Sequence, residues 1–443
     1  MSLASDDVDF DAVVVGAGPA GSLAALRLAQ RGLSVVLIER GEAPGAKNLS
    51  GGVLYPYELA TAIPTFAAQA PVERTVTRHV TTFLQADSAV SLDYAGDHLA
   101  SPVATADTAA PNAVTVLRAR LDPWLAARAE EAGAFLMPGV KVDALERDAG
   151  GAVVGVRAGE EVLRSRVVVA ADGVNSFLAR DAGLRPKPPA HHLAVGVKAV
   201  LAMEPGRIAD RFGVDDAGGA AHAVVGDATA GVAGGGFVYT NRDSLSVGLV
   251  LRLDDLVRSG RTAHELFERF LAHPGLRRYL AGAEAVEYGS HLVAEGGLAM
   301  VGEVVHDGLV LTGDAAGLTI NSGLVLRGMD LAVASGIAAG DAVADAIEAG
   351  DVTRTGLERY RTALEATTAM ADLRTYERAP AFFSRRGPYG PWGRTAADVL
   401  RAAYTLDGAP RRPVRTLVRD ALRRSDASPT TWAQDAWAAV RSL

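Results

Sequence analysis

The stretch FDAVVVGAGPAGSLAALRLAQRGLSVVLIER, residues 10–40, restricts the folds open to this chain more than any other. The apolar run at 10–15 predicts a buried strand and GAGPAG at 16–21 a turn. Residues 22–32 predict a helix stopped by Gly32, and SVVLIE at 34–39 a second strand. The result is a βαβ unit. Gly16, Gly18 and Gly21 form G-x-G-x-x-G between strand and helix, Pro19 and Ala20 complete the turn, and Glu39, followed by Arg40, closes the second strand. Such glycines permit a tight turn and close backbone approach, the helix N-terminus faces a pyrophosphate, and Glu39 can accept hydrogen bonds from both adenosine ribose hydroxyls. This unit predicts dinucleotide binding without distinguishing NAD from FAD.

At 443 residues the chain is too long for one ordinary core, so two or three lobes are expected. Its 48 glycines and only 6% aromatics suit an α/β fold with glycine turns better than a sandwich of aromatic-rich strands. A net charge of -8 offers no domain-wide basic field to a phosphate backbone, so no nucleic-acid partner is expected. Cysteine is absent, which excludes disulfides, thiolate catalysis, Cys-ligated zinc and an intrinsic iron–sulfur cluster. Redox chemistry therefore needs an organic cofactor or a partner. The nine histidines show no metal spacing, and no Ser-His-Asp or paired-carboxylate arrangement can be inferred. The acidic start MSLASDDVDF lacks an apolar h-region and predicts a cytoplasmic address. The longest hydrophobic stretch is interrupted by Asp314, Arg327 and Asp330 and is not a membrane span.

Further along, Asp122 is placed to cap a helix with Pro123 in its first turn, running to about Gly133. RVVVAADG at 166–173 and GLVLTGDAAG at 308–317 predict two more apolar strands ending in turns. Between them, roughly 190–295, segments such as AVGVKAVLAM and GFVYTNRDSLSVGLVLRL predict antiparallel strands of a different lobe. The Gly- and Ala-rich segment 214–236 is expected to be loop-rich and mobile, and His191-His192 to be a linker into the second lobe. From about 376 the composition shifts to Arg, Pro and aromatics, a third, helical region.

Asp172-Gly173 and Gly313-Asp314 end the two later strands. A carboxylate on the last strand is placed to hold the ribityl hydroxyls of a flavin, and helix N-terminal amides near Gly323 and Leu324 to hydrogen-bond its pyrimidine ring. Ordinary acidic βα turns are the alternative. Four stretches, AKNLSGGVLY (46–55), VLRARLDPWL (116–125), GGGFVYTNRDSLSVGLVL (234–251) and GDAAGLTINSGLVLRGMDLA (313–332), then narrow the choice. Through them the chain resembles the glutathione-reductase-type FAD superfamily in its hydroxylase-like branch, and most specifically FixC-type flavoproteins, relatives of the electron-transfer-flavoprotein:quinone oxidoreductases. The likeness runs over nearly the whole length.

The resemblance implies an α/β Rossmann FAD fold with an inserted antiparallel-sheet domain and a C-terminal helical appendage. The FAD-binding part is expected at 1–80, 110–188 and 296–375, the sheet domain at 81–109 and 189–295, and the helical region at 376–443. In such folds the chain leaving the second strand crosses toward the flavin, so Ser50, Gly51 and Gly52 would pass against the isoalloxazine, with Lys47 and Asn48 offering donors. Arg118 matches the family arginine that reaches the FAD phosphates or ribityl chain, and Val140 and Ala171 complete the expected cofactor contacts. The implied activity is electron transfer from an electron-transfer flavoprotein toward membrane quinone. With no cysteine here, the family pattern implies a separate ferredoxin-like iron–sulfur subunit and an electron-bifurcating complex with both electron-transfer-flavoprotein subunits.

Two alternatives stay open: a flavin-dependent polyprenyl reductase or aromatic hydroxylase, and a flavin subunit that mainly assembles a membrane-associated complex. The polyprenyl reductases usually place a cysteine near the flavin, where this chain has Asn48 to Gly52. Arg327 and Asp330 pair with each other on a late helix or turn toward the flavin or its electron partner. APAFFSRRGPYGPWGR (379–394) interleaves Phe382, Phe383, Tyr389 and Trp392 with Arg385, Arg386 and Arg394, and the tail beyond stays basic. That suits a lipid headgroup surface, here the inner face of the cell membrane, or a protein partner; a core-packed appendage is the plainer reading.

Overall fold

A computed structural model describes residues 8–48, 51–100, 102–104, 109–323, 325–385, 387–425 and 427–443. Five parallel strands order as Phe135–Pro138, Val35–Glu39, Phe10–Val15, Glu161–Ala170 and Leu309–Leu311. An antiparallel hairpin, Ala144–Arg147 with Val153–Ala158, feeds into Glu161–Ala170. Val35–Glu39 is buried along its whole length, as the unbroken apolar run requires of a strand covered on both faces.

The helices Pro19–Gln30 and Met329–Glu348 pack against each other on this sheet. Gly336 and Gly340 set the approach: a Cβ at Gly336 would lie 2.3 Å from the Ala20 carbonyl oxygen, and one at Gly340 2.8 Å from that of Ala24. The predicted cap at Asp122 is corrected. The helix starts earlier, at Arg118, and runs to Glu131, leaving Pro123 inside it. Asp122 turns back to take two hydrogen bonds from Arg118, each of 2.6 Å, so its carboxylate secures the first turn from within and caps nothing.

Among the described residues the second sheet has nine strands, and eight of them follow in the order Glu284–Ala294, Leu193–Ala202, Ser244–Arg252, Gly234–Thr240, Gly218–Gly226, Val72–Leu84, Val114–Val116 and Gly52–Leu54. Pairing is antiparallel except between Gly218–Gly226 and Val72–Leu84, which run parallel. Residue 80, the expected boundary, lies inside Val72–Leu84, and Gly52–Leu54 and Val114–Val116 also join this sheet. The chain thus passes between the two sheets more often than those expected boundaries allow.

The segment 214–236 is also corrected: it holds the strand Gly218–Gly226 and the start of Gly234–Thr240. Its small residues serve packing. A Cβ at Gly236 would fall 2.5 Å from the Phe270 ring, under the helix Ala263–Ala272.

His191 and His192 end a short 3₁₀ turn, Ala190–His192, that leads into Leu193–Ala202. The C-terminal part is helical, with Ala379–Phe382, Pro391–Tyr404, Val414–Arg424 and Pro429–Ser442. The Trp392 and Trp432 rings stack at 6.2 Å, and Arg385 pairs with Asp435 at 2.7 Å. Among the described residues no helix is long and apolar enough to cross a membrane.

Candidate functional site

A cavity of about 340 Å³ runs from the glycine turn between the two sheets. Gly16 adopts φ +104°, where a Cβ would also sit 2.4 Å from the Ala171 carbonyl oxygen. Gly21 packs back on Gly16, while Gly18 is extended and precedes Pro19 at the helix start. The unpaired N–H groups of that first turn therefore face the cavity mouth. The Glu39 carboxylate is buried and held by N–H donation from Ala17 at 3.1 Å and Gly41 at 2.7 Å. Val140 donates its N–H to the Glu39 carbonyl at 3.0 Å, and Arg40 and Lys47 are exposed at the rim.

Arg118 lies in the middle of the cavity wall, paired with the fully buried Asp122, which also accepts from Asn48 Nδ2 at 3.2 Å. Burial opposes the Arg118 charge, but Asp122 outweighs it and holds the guanidinium above its ordinary value. On the far wall Ala171, Asp172 and Gly173 follow the strand Glu161–Ala170. Burial pushes the Asp172 carboxyl up; its Oδ2 accepts from Leu178 N–H at 3.0 Å, whereas its buried Oδ1 has no partner. Asp314 follows Leu309–Leu311, its carboxyl raised by burial and opposed by Arg118, His291 and Arg185. Gly313 sits behind it, its N–H donated to Ser335 Oγ at 3.0 Å and its Cα against Ala20.

At the other end the main chain crosses bare. Gly51 has φ +89°, and a Cβ on Gly52 would meet the Met329 side chain at 2.9 Å. Ser50 and Leu324, like Arg386 in the tail, lie outside the described residues.

Gly323 is corrected. It belongs to the hairpin Ile320–Asn321/Leu326–Arg327 and lines a second cavity against Phe383, because the long helix begins at Met329, with Gly328 before it. The helix-terminal backbone lining the main cavity is accordingly that of Gly328 and Met329. Arg327 sits on that hairpin, not on the helix; it pairs with Asp330 at 2.5 Å and with Asp372 at 2.5 Å.

The sequence reading missed Lys198, Phe237, Tyr239 and His291, all of which line the cavity. Lys198 and Phe237 both face Gly248 in the ladder, and the missing side chain there brings the Lys198 ammonium within 5.6 Å of the Phe237 ring centroid. Its Nζ donates to the Gly51 carbonyl at 3.2 Å, and burial, aided by Arg118, pushes its pKa down to about 8. The signal was a lone lysine inside the apolar strand AVGVKAVLAM.

The second cavity, of about 160 Å³, shares Val53, Phe237, Tyr239, Val250 and Leu326 with the first. Its floor is Gly234-Gly235-Gly236 with Ala221 and Ala223.

This donor set fits FAD: a glycine turn with free amides, a fixed carboxylate closing the second strand, an arginine in the cavity wall, an unpartnered Asp172 oxygen and main chain without side chains at the end away from the glycine turn. Fold and site define a glutathione-reductase-type flavoprotein of the hydroxylase-like branch, an FAD-dependent oxidoreductase. An FAD binding domain family model matches residues 9–210. The chain is 45% identical over 414 residues to the probable electron transfer flavoprotein-quinone oxidoreductase YdiS of Escherichia coli, covering 94% of each. It is 42% identical to protein FixC of Salmonella typhi, covering 93% of this chain and 94% of that one. The chain belongs to this FixC and electron transfer flavoprotein-quinone oxidoreductase family, flavin-dependent electron-transfer enzymes. A geranylgeranyl bacteriochlorophyll reductase-like protein of Thermoplasma acidophilum shares the fold at TM-score 0.68 and 20% identity, over 97% of this chain and 99% of that one.

Proposed function

We propose that this chain takes electrons from an electron-transfer flavoprotein and passes them to a membrane quinone, within a bifurcating complex that includes both flavoprotein subunits and a ferredoxin-like iron–sulfur subunit. The observation that carries this reading is the joined pair of cavities, one suited to FAD and one floored by glycine and alanine, which share Val53, Phe237, Tyr239, Val250 and Leu326 as their common wall. The names of the relatives supply the partner and acceptor classes.

In this reading the amides after Gly18 hold the pyrophosphate, Glu39 the adenosine ribose, and Arg118 and Asp314 the phosphate and ribityl portion. Gly51 and Gly52 let the ring lie flush, with Lys198 as a cation beside it. Bound there, the flavin supplies the one- and two-electron chemistry. Lys198 and Arg118 place positive charge where the reduced cofactor is most anionic, which favours reduction. The shared wall of Phe237, Tyr239 and Leu326 excludes bulk water from the ring.

Membrane contact by the C-terminal helices, on the cytoplasmic side, is part of the proposal. Tyr404, Leu406, Trp437 and Val440 are more than 60% exposed in this region, and Arg415 and Arg423 are exposed on the helix Val414–Arg424 of the same region, a combination that suits an anionic lipid surface. The decisive test is anaerobic mixing with the cognate electron-transfer flavoprotein. Bleaching of the bound flavin supports the proposal, and a flavin that stays oxidised ends it.

A further inference from the structure

Glu295 follows the strand Glu284–Ala294 and lines the second cavity with Arg252, His191 and Tyr389, and none of these four lines the flavin cavity. The Glu295 N–H donates to the His192 carbonyl at 2.8 Å, which pins the His191–His192 turn beside it. His191 is exposed, so that turn connects the cavity to solvent.

The other polar groups at this end are already engaged. Arg252 donates to Asp254 at 2.8 Å and to Ser384 at 2.9 Å, and the Tyr389 hydroxyl donates to the Phe383 carbonyl at 3.0 Å. His79, on the far wall, is pushed toward its neutral form by burial. Among the described residues the Glu295 carboxyl has no hydrogen-bond partner, and the cavity floor of glycine, alanine and valine offers no other acid.

We propose that Glu295 is the proton donor to a quinone-class acceptor bound in the second cavity, and that His191 returns the proton from solvent. This rests on the electron-transfer reading above. A quinone needs two electrons and two protons to leave as the quinol. Glu295 breaks its carboxyl O–H bond as one quinone oxygen gains a proton; the two electrons and the other proton come with the reduced cofactor, which is oxidised. The resulting carboxylate is reprotonated by water through His191. Burial, opposed by Arg252, raises Glu295 to about 7, so the carboxyl carries its proton below that pH and has lost it above.

The experiment mixes dithionite-reduced holoprotein with a short-chain ubiquinone analogue anaerobically across pH, for wild type, Glu295→Gln and Glu295→Asp. Wild-type reoxidation should fall about tenfold per pH unit above about 7. Glu295→Gln should be slower by roughly 100-fold or more and flat with pH, and Glu295→Asp should recover part of the rate and the slope. Independently of turnover, the infrared spectrum of the oxidised wild type at pH 6 should contain a protonated-carboxyl band that Glu295→Gln lacks. Bound-FAD stoichiometry checks that each variant folds. An unchanged rate and pH profile in Glu295→Gln, or no difference band, overturns the proposal alone. A wild type that the quinone does not reoxidise overturns the electron-transfer reading with it.

Discussion

Gly51 passes so close to Ser246 that a Cβ on it would lie 2.0 Å from the serine oxygen, at a backbone φ of +89°. Gly51→Ala meets two separate costs there: left-handed strain of about 1–3 kcal/mol and a displaced Ser246 worth a similar amount. The variant should melt several degrees lower and bind less FAD. Gly51→Ala with Ser246→Gly should recover only the packing part, because the φ strain remains. Equal FAD content and melting temperature in wild type and single variant would show that the crossing tolerates a side chain.

Asp122 is fully buried and depends on Arg118 for its charge balance. Among the described residues Arg118→Met leaves that carboxylate with only Asn48 as a side-chain donor and should cost about 3–5 kcal/mol by chemical denaturation. Arg118→Met with Asp122→Leu should regain most of the stability. FAD affinity should stay low in the double variant, because the arginine itself is expected to hold the cofactor. Wild-type FAD affinity there would restrict Arg118 to a structural role.

Lys198 gives a pH dependence of opposite sense to that of a lysine held in a salt bridge. Lysine is charged in the unfolded chain below 10.5 and in the folded chain only below about 8. Between those values folding sheds a proton, so the stability of the flavin-free protein should rise with pH; below about 8 both states are charged and the full cost, on the order of 3 kcal/mol, is present. Lys198→Met should therefore be more stable than wild type at pH 7 and show no such rise. Denaturant titrations of the flavin-free proteins at pH 7, 9 and 10 measure both effects.

The membrane proposal predicts salt-sensitive cosedimentation with vesicles rich in anionic lipid. Arg415→Glu with Arg423→Glu should weaken binding roughly 30-fold or more, at about 1 kcal/mol per arginine charge removed. Binding to neutral vesicles should be weak for both proteins. Equal sedimentation of wild type and variant with anionic vesicles would assign this basic helical face to another task.

The glycine-turn end of the candidate site was legible because its geometry is local. Gly16, Gly18, Gly21 and Glu39 lie on one βαβ unit, where strand period, turn and helix start fix where each backbone amide and carboxylate points. Small residues misled where they served packing instead of a turn. The 214–236 segment reads as a loop, yet Gly236 is small because the Phe270 ring occupies its side-chain space.

The sequence by itself determined the dinucleotide turn, the α/β class, the absence of thiol chemistry and the helical tail, since each follows from short-range periodicity or from composition. Only the tertiary structure decided which strands share the second sheet, that Gly323 lines a different cavity from Asp314, and that Lys198 meets Gly51 across 147 positions. Those depend on strand register and on which side chains are missing at a crossing. A register shift of one residue would turn Lys198 to the other face of the sheet, and no local pattern specifies it.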